Sequence, residues 1–151
     1  MHAGVAERWE YRVNMTVRLP KGYKPADDEP FMNRKQREYF RRKLLAWREE
    51  LLKESTETLQ HLQEDNVAAP DMTDRASAET ERSLELRTRD RERKLLKKIE
   101  QSLRRIEDGT YGWCEETGEP IGIPRLLARP TATLTIEAQS RRELKQKLYG
   151  D

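Results

Sequence analysis

Apolar residues recur at helical spacing along a first stretch of the chain, which holds neither Gly nor an internal Pro between residues 31 and 69. Asn33 is a suitable N-cap, and Gln36 stands three residues later, where its side chain can reach back towards the cap. The pattern predicts a helix that starts at Asn33 and ends before Pro70. Its apolar stripe, at steps of four, three and four residues and then beyond a polar gap, comprises Phe40, Leu44, Trp47, Leu51, Leu59 and Leu62.

A second helix is predicted from the segment Asp71–Asp74 to Asp108. The aspartates suit the positive N-terminus of a helix, and Gly109 is typical of a residue that follows a helix C-terminus. Each predicted helix has about 34 residues and is roughly 50 Å long. The seam of the second helix comprises Leu84, Leu95, Ile99 and Ile106, flanked by Leu96 and Leu103.

The two helices are predicted to pack as one antiparallel coiled-coil hairpin. A single helix this polar is marginal in water, whereas two helices that share an apolar seam stabilise each other. The connection around residues 67–72 is short, which favours antiparallel neighbours. One continuous charged helix and a homodimeric coiled coil are the alternatives, but Pro70 falls near the midpoint of the charge pattern and favours the hairpin.

Charge is segregated along this hairpin, although the net charge is only +2. Residues 34–53 carry 8 basic and 3 acidic side chains, residues 54–85 carry 2 and 9, and residues 87–105 carry 9 and 3. Because folding back at Pro70 superposes the two basic blocks, we expect an acidic tip and a basic base. With 38% charged and 34% apolar residues, the chain is expected to be elongated around a narrow seam.

Composition also limits the location and the chemistry of the protein. No apolar run approaches the roughly 18 residues of a membrane span, and no secretory signal is recognised, so neither membrane insertion nor export is expected. A single cysteine, Cys114, excludes an internal disulfide and a multi-cysteine metal cage, and a reducing cytoplasm is the expected location. No catalytic histidine, phosphate loop or nucleophile elbow is recognised, so the chain is not expected to be an enzyme.

Four segments are predicted, in a mainly α fold. Residues 1–32 form an irregular arm that packs on the head, through Trp9, Tyr11, Val13 and Tyr23. Residues 33–108 form the hairpin, with its tip at 67–76. Residues 109–139, rich in Gly and Pro, form a small head with short strands at Tyr111–Cys114 and Thr133–Ile136. Residues 140–151 form a C-terminal helix, because Ser140 and Glu143 have the spacing of a capping box.

Several motifs together resemble the DksA/TraR family of bacterial RNA-polymerase regulators. The resemblance covers nearly the whole chain from Phe31 and implies a coiled-coil hairpin on a small globular head with a C-terminal helix. It implies a protein that inserts its hairpin into the secondary channel of RNA polymerase and alters promoter-complex stability together with ppGpp. In such proteins ribosomal RNA promoters are repressed and some amino-acid promoters activated. The motifs are Pro70–Ala76 (PDMTDRA), Ser83–Lys94 (SLELRTRDRERK), Tyr111–Cys114 (YGWC), Ile121–Ile123 (IGI) and Ala128–Ala132 (ARPTA).

The resemblance also assigns functional residues. Asp71, Asp74 and Ala76 match the tip that approaches the polymerase active centre, although two carboxylates at this spacing also simply cap a helix. Apart from the resemblance, Arg91 in the basic block is expected to contact the polymerase rim. The positions matching the ppGpp pocket are Leu95, Lys98, Arg129 and Gln139. Gln139 replaces the usual lysine, so the response to ppGpp is expected to be retained but weaker.

The head departs from the family where zinc is usually held by four cysteines. The matching positions are Cys114, Thr117, Thr135 and Ala138, and the two histidines, His2 and His61, lie outside the head. Structural zinc takes four Cys or His ligands, so we expect a head without zinc. Its stability is then expected to come from Trp113, Ile121, Ile123, Leu126, Leu134 and Ile136.

The sequence therefore predicts a cytoplasmic, monomeric transcription regulator that binds RNA polymerase and ppGpp but no specific DNA sequence. Its basic block, from Arg87 to Lys98, is interrupted by Asp90 and Glu92, which disfavours a DNA-binding stripe. That block can be a solvated face, a contact for an acidic protein rim, or a nucleotide contact. A generic coiled-coil adaptor and a thiol-based redox sensor using Cys114 are the alternative functions. For Cys114 itself the favoured interpretation is a relic of the zinc site that serves as a small apolar side chain.

Overall fold

The computed structural model describes residues 17–65 and 72–150. The described chain contains four helices: α1 (Arg34–Asp65), α2 (Met72–Asp108), α3 (Ile123–Ala128) and α4 (Ile136–Tyr149). The mainly helical fold with a long helical hairpin is confirmed. The chain divides into two compact units, a head unit formed by Met1–Leu44 with Ser102–Asp151 and a stalk unit formed by Leu45–Gln101.

The start of α1 is fixed by two reciprocal hydrogen bonds. The Asn33 Oδ1 atom accepts a hydrogen bond from the Gln36 backbone N–H at 2.9 Å. The Gln36 side chain reaches back as predicted, but it accepts from the N–H of Met32, at 2.7 Å, one residue before the cap. These bonds satisfy backbone donors at a helix N-terminus that has no intrahelical acceptor for them.

A segment before α1 is attached to this helix start by side-chain hydrogen bonds. The Tyr23 hydroxyl donates to Glu29 Oε2 at 2.6 Å, and the Asn33 amide donates to the same oxygen at 3.1 Å. These two bonds, in that order, hold the pKa of Glu29 below its ordinary value. Arg42 donates to the carbonyl oxygen of Val17 at 2.8 Å. Of the predicted arm contacts, Tyr23 is thus described, whereas Trp9, Tyr11 and Val13 lie outside the described residues.

Gly112 lies very close to the same segment. Its φ angle is +90°, and a Cβ atom at this position would lie 2.9 Å from Cγ of Met32 and 3.2 Å from Cζ of Phe31. Met32 itself has a positive φ of 54° and is buried. Only a glycine fits this backbone conformation and this approach without displacing its neighbours.

The end of α2 follows the sequence prediction closely, as the start of α1 does. Helix α2 ends at Asp108, Gly109 adopts a φ of +79°, and Thr110 N–H donates to Arg105 O at 2.9 Å, as in a Schellman motif. Helix α1 ends at Asp65 and α2 begins at Met72, while Pro70 and the rest of the connection lie outside the described residues.

The seam of α2 differs from its prediction near the outer end of the stalk unit. Ile99 is buried as expected, but Leu84 is 55% exposed. In a coiled coil, seam positions recur every seven residues, and counting back from Ile99 gives Glu92 and then Glu85, which are both half-buried. Leu84 lies one position before Glu85 and therefore outside the seam. His61 Nδ1 of α1 lies 2.5 Å from Glu85 Oε1, so a polar contact replaces the expected leucine here.

The two short strands predicted in the head do not form. Between residues 109 and 136 the described backbone contains one isolated bridge, Trp113 with Pro120, and no ladder. The segment Thr133–Ile136 instead leads into α4, and residues 123–128 form the short helix α3, which was not predicted. Turns and side-chain hydrogen bonds therefore organise the head.

Helix α4 begins four residues before its predicted cap. Thr135 is the N-cap, in an extended conformation, and its hydroxyl oxygen accepts from Ala138 N–H at 3.2 Å. Ser140, the predicted cap, lies inside the helix. The helix ends at Tyr149, and Gly150 follows with a left-handed φ of 76°.

The head core differs in its members from the prediction. Ile121, Ile123, Leu126 and Leu134 are buried as expected, but Trp113 is 38% and Ile136 60% exposed. Phe31 covers part of Trp113 in an edge-to-face contact with ring centroids 5.2 Å apart. Ile136 is the first residue of α4, and Ala138, in the same turn, faces the core instead. No described helix is long and apolar enough to cross a membrane. The other buried apolar residues of the head unit are Met32, Phe40, Leu44, Ile106, Tyr111, Cys114, Ala132 and Ala138.

The revised seam predicts opposite outcomes for two substitutions in α2. Ile99→Ala removes a fully buried side chain and should lower the free energy of unfolding by about 2–5 kcal/mol. Leu84→Ala, in the exposed position, should change it by no more than about 0.5 kcal/mol. Urea unfolding followed by circular dichroism at 222 nm measures both. Equal losses for the two variants would contradict the burial pattern.

Candidate functional site

The described part of the predicted tip is an exposed helix start. Asp74 lies in the first turn of α2, and both Asp74 and Ala76 are exposed. A carboxylate at this place interacts favourably with the positive end of the helix and also faces solvent. Asp71 and the connection to α1 lie outside the described residues.

The basic block of α2 is mostly a solvent-facing surface. Of its seven cationic side chains, Arg89 is half-buried, and it lines a small groove with Leu51, Leu52 and Leu96. The remaining six are exposed, among them Arg91, the predicted contact for the polymerase rim. The charged heads are therefore available for a partner. The six are Arg87, Arg91, Arg93, Lys94, Lys97 and Lys98.

The four predicted ppGpp residues belong to two units. Leu95 and Lys98 lie one turn apart on α2 in the stalk unit, Leu95 half-buried and Lys98 exposed. Arg129 is the exposed residue that follows α3 in the head unit. Gln139, in the first turn of α4, is half-buried and donates through Nε2 to Glu143 Oε1 at 2.9 Å. Its amide thus has an acidic neighbour on its own helix.

The backbone around Arg129 is held by three side chains that the sequence analysis did not single out. Lys43 Nζ donates to Leu127 O at 3.0 Å, Tyr111 donates to Pro130 O at 2.7 Å, and Arg125 Nε donates to Leu134 O at 2.9 Å. A sequence gives little signal for such contacts, because each joins a side chain to a backbone carbonyl, which every residue carries.

The four positions that match zinc ligands do come together. Cys114 is 4% exposed, and its Sγ atom accepts from the Thr135 N–H at 3.4 Å, with the Thr135 hydroxyl 3.9 Å away. Thr117 follows Cys114 in the same turn, and its hydroxyl helps to lower the pKa of the thiol. Ala138 donates its N–H to the Thr135 hydroxyl oxygen. The side chains thus form a hydrogen-bonded cluster centred on one sulfur.

A tight turn supports this cluster. Cys114 N–H donates to Glu119 O at 2.8 Å, and Gly118 N–H donates back to Cys114 O at 2.9 Å. The two glutamates of the turn pair with arginines of neighbouring helices, Glu115 with Arg105 of α2 and Glu116 with Arg142 of α4. The turn is therefore tied to the rest of the head by charge as well as by backbone bonds.

The thiol of Cys114 has an unusual ionisation. Burial raises its pKa, but hydrogen bonds from the Thr117 hydroxyl and from the N–H groups of Thr135, Thr117 and Glu116 lower it by more, to about 7. These donors stabilise negative charge on sulfur. A substantial thiolate fraction is therefore expected at neutral pH.

The donor set does not fit a structural zinc ion. Such an ion takes four Cys or His ligands, and this cluster offers one thiol, two hydroxyls and a methyl group. The hydroxyl of Thr135 is already used as the cap of α4. Within residues 17–65 and 72–150 there is no group of three His, Cys, Asp or Glu side chains that could hold a metal.

Two family models match this chain, and both describe parts of DksA-type proteins. Residues 36–106 match the family model described as DnaK suppressor protein DksA, N-terminal domain. Residues 109–144 match the model described as prokaryotic dksA/traR C4-type zinc finger, although three of the four cysteine positions are changed here.

Individual relatives cover almost the whole chain. The chain is 62% identical over 137 residues to the RNA polymerase-binding transcription factor DksA of Caulobacter vibrioides, covering 90% of this chain and 96% of that protein. It is 49% identical to the protein of the same name from Escherichia coli K12, covering 89% and 91%. The solved structure of transcription factor DksA2 from Pseudomonas aeruginosa is similar with a TM-score of 0.75 and 38% identity, covering 93% of this chain and 98% of that one.

These names describe transcription factors rather than enzymes. The likeness to the solved Pseudomonas aeruginosa structure extends to the fold described above. The chain therefore belongs to the DksA family of transcription factors.

Proposed function

We propose that this protein regulates transcription by binding RNA polymerase through the secondary channel, with its hairpin tip directed to the active centre. The observation that carries the proposal is the 62% identity, over nearly the whole chain, to a relative named for polymerase binding. The helical hairpin and the exposed basic face of α2 support it. The expected outcome is altered promoter-complex stability, with repression at ribosomal RNA promoters and activation at some amino-acid promoters, as in a stringent response.

The tip acts through negative charge in this proposal. Asp74 is exposed at the start of α2, and its carboxylate is proposed to face a basic, metal-containing catalytic centre of a partner. Asp71 is proposed to act beside it, with the small Ala76 allowing close approach. Arg91 is proposed to contact the polymerase rim, because an exposed arginine suits an acidic protein surface.

ppGpp is proposed as the co-regulator, bound with polymerase by Leu95, Lys98, Arg129 and Gln139. Lys98 and Arg129 are exposed cations suited to its phosphates. Gln139 is neutral and already donates to Glu143. A charged donor in its place would add about 1 kcal/mol, so the response to ppGpp is expected to be weaker than with a lysine.

The head is proposed to fold without zinc. The hydrogen-bonded cluster around Cys114 and Thr135 occupies the positions of the family's ligands, and the buried Ile121, Ile123, Leu126 and Leu134 supply the apolar core. The family match to a C4-type zinc finger then describes ancestry and fold of residues 109–144 rather than their metal content.

The remaining parts of the proposal concern partners and location. The protein is proposed to act as a cytoplasmic monomer. It is also proposed to make no sequence-specific DNA contacts, because the cations of α2 alternate with Asp90 and Glu92. A generic coiled-coil adaptor would not account for the names of the relatives.

A redox-sensing role for Cys114 is the second candidate. The lowered pKa of the thiol favours it, whereas the burial of the side chain restricts access by oxidants. Loss of promoter control on peroxide treatment that Cys114→Ser abolishes would support the sensor.

Removal of the tip charge should separate binding from activity. Asp74→Asn is expected to bind core RNA polymerase within about threefold of the parent, since one exposed charge contributes little to affinity. The variant should nevertheless lose its effect on the lifetime of ribosomal promoter complexes. Asp90→Asn makes the same chemical change about 24 Å along α2 and should keep that effect. Parallel loss of binding and promoter effect in Asp74→Asn would contradict a purely functional tip.

Metal analysis tests the zinc-free head. The purified protein should contain far less than one zinc per chain, and a chelator should leave its melting temperature unchanged. A variant with Thr117→Cys, Thr135→Cys and Ala138→Cys is the positive control, because the four positions already lie together, and it should take up zinc. Stoichiometric zinc in the parent, with a lower melting temperature after its removal, would refute the proposal.

The ionisation of Cys114 predicts a pH dependence of stability. Because the pKa is lowered to about 7 in the folded head, its contribution is fully present above the thiol's ordinary pKa and is lost as the pH falls through 7. The gap in unfolding free energy between the parent and Cys114→Ser should widen by about 1–2 kcal/mol from pH 6 to pH 9. Chemical unfolding with chelator present, at several pH values, measures it. Parallel curves would show that the thiol is not selectively ionised by folding.

A further inference from the structure

The backbone that carries Arg129 lies between two side-chain hydrogen bonds from other parts of the head unit. Two residues before it, the carbonyl of Leu127 accepts from Lys43 Nζ at 3.0 Å. One residue after it, the carbonyl of Pro130 accepts from the Tyr111 hydroxyl at 2.7 Å. The Arg129 N–H donates to Arg125 O at 2.8 Å, and its carbonyl accepts from Ala132 N–H at 3.0 Å. The segment is therefore held on both sides although the Arg129 side chain is exposed.

The anchor from Tyr111 is buried. Tyr111 is 2% exposed, Pro130 is buried, and the Tyr111 ring packs against Phe40 with centroids 5.6 Å apart. Burial raises the pKa of the Tyr111 hydroxyl, which stays a neutral donor. Removal of this hydroxyl would leave a buried carbonyl without its partner, and water cannot easily replace it.

The anchor from Lys43 joins α1 to the end of α3. The carbonyls in the last turn of a helix have no intrahelical donor, so the ammonium group satisfies one of them and adds favourable charge. Helix α3 has only six residues and no side-chain cap, and it gains little order from its own length. Lys43 therefore restrains the turn that directly precedes Arg129.

We propose that Tyr111 and Lys43 are positioning residues for Arg129, holding its backbone in the place from which the guanidinium meets the phosphates of ppGpp. This inference rests on the ppGpp binding proposed above. An arginine that is held in place loses less conformational freedom on binding a phosphate than one on a mobile loop. Neither residue touches ppGpp itself in this proposal.

The test measures two quantities for each variant in complex with RNA polymerase. The first is the ppGpp concentration at which the protein shows half of the additional promoter effect that saturating ppGpp produces. The second is the promoter effect of the protein without ppGpp. Tyr111→Phe and Lys43→Met should each raise the first quantity about threefold to tenfold and leave the second unchanged. Lys43→Arg, which keeps a cationic donor, should behave nearly as the parent does.

Tyr23→Phe is the matched control. It deletes a tyrosine hydroxyl that also donates a side-chain hydrogen bond in the head unit, to Glu29 at 2.6 Å, but in the segment before α1. It should not change the response to ppGpp. Melting temperatures of all variants show whether any loss reflects folding, and Lys43→Met provides an answer if Tyr111→Phe folds poorly.

Three outcomes would overturn the inference. Normal ppGpp sensitivity in both Tyr111→Phe and Lys43→Met, with Lys98→Ala insensitive, would refute positioning and leave the proposed function intact. Equal loss of the effects with and without ppGpp would indicate a general structural role. If ppGpp did not change the promoter effect of the unsubstituted protein, both the proposed co-regulator and the inference would be refuted.

Discussion

The order of the head depends on hydrogen bonds that converge on one sulfur and one hydroxyl. Cys114 Sγ accepts from Thr135, and Thr135 in turn caps α4 by accepting from Ala138. The turn that carries Cys114 and the helix that follows Thr135 are thereby joined at a single point. A metal ion would join the same elements through four bonds, each stronger than any of these. The head therefore also needs its buried leucines and isoleucines and the side-chain contacts around α3.

The rest of the molecule follows from how little apolar surface this chain has. With 34% apolar residues, two long helices can share only a narrow seam, and in the stalk unit buried apolar side chains are few: Leu51 on α1 and Ile99 on α2 among the described residues. Towards the outer end, half-buried Glu85 and Glu92 take seam positions, and His61 meets Glu85. Such a stalk leaves its surface to charged side chains, among them the exposed cations of α2.

Much of the fold could be predicted because helix ends have strong local signals. Asn33 with Gln36 and Gly109 mark the start of α1 and the end of α2, since capping and left-handed backbone depend on a few neighbouring residues. The predictions were wrong where two local signals competed. Thr135 caps α4 although Ser140 has the better capping-box spacing, because the contacts of Thr135 with Cys114 are made across the fold. Leu84 was placed in the seam because it is apolar, whereas the helical repeat from Ile99 leads to glutamates.

The candidate site was predictable in its residue types but not in its support. Asp74, Arg91, Lys98 and Arg129 are exposed as a binding surface requires, and the retained Cys114 lies against one of the three changed zinc positions, Thr135. The anchors from Lys43 and Tyr111 were missed because their acceptors are backbone carbonyls, which leave no mark in the sequence. Gly112 has a wider consequence: its missing side chain is the space into which Met32 and Phe31 fit. A substitution in the segment before α1 therefore has to remain compatible with the turn that carries Gly112. A shortened protein that begins after Asn33 would lack Phe31 and Met32, and Trp113 would become more exposed.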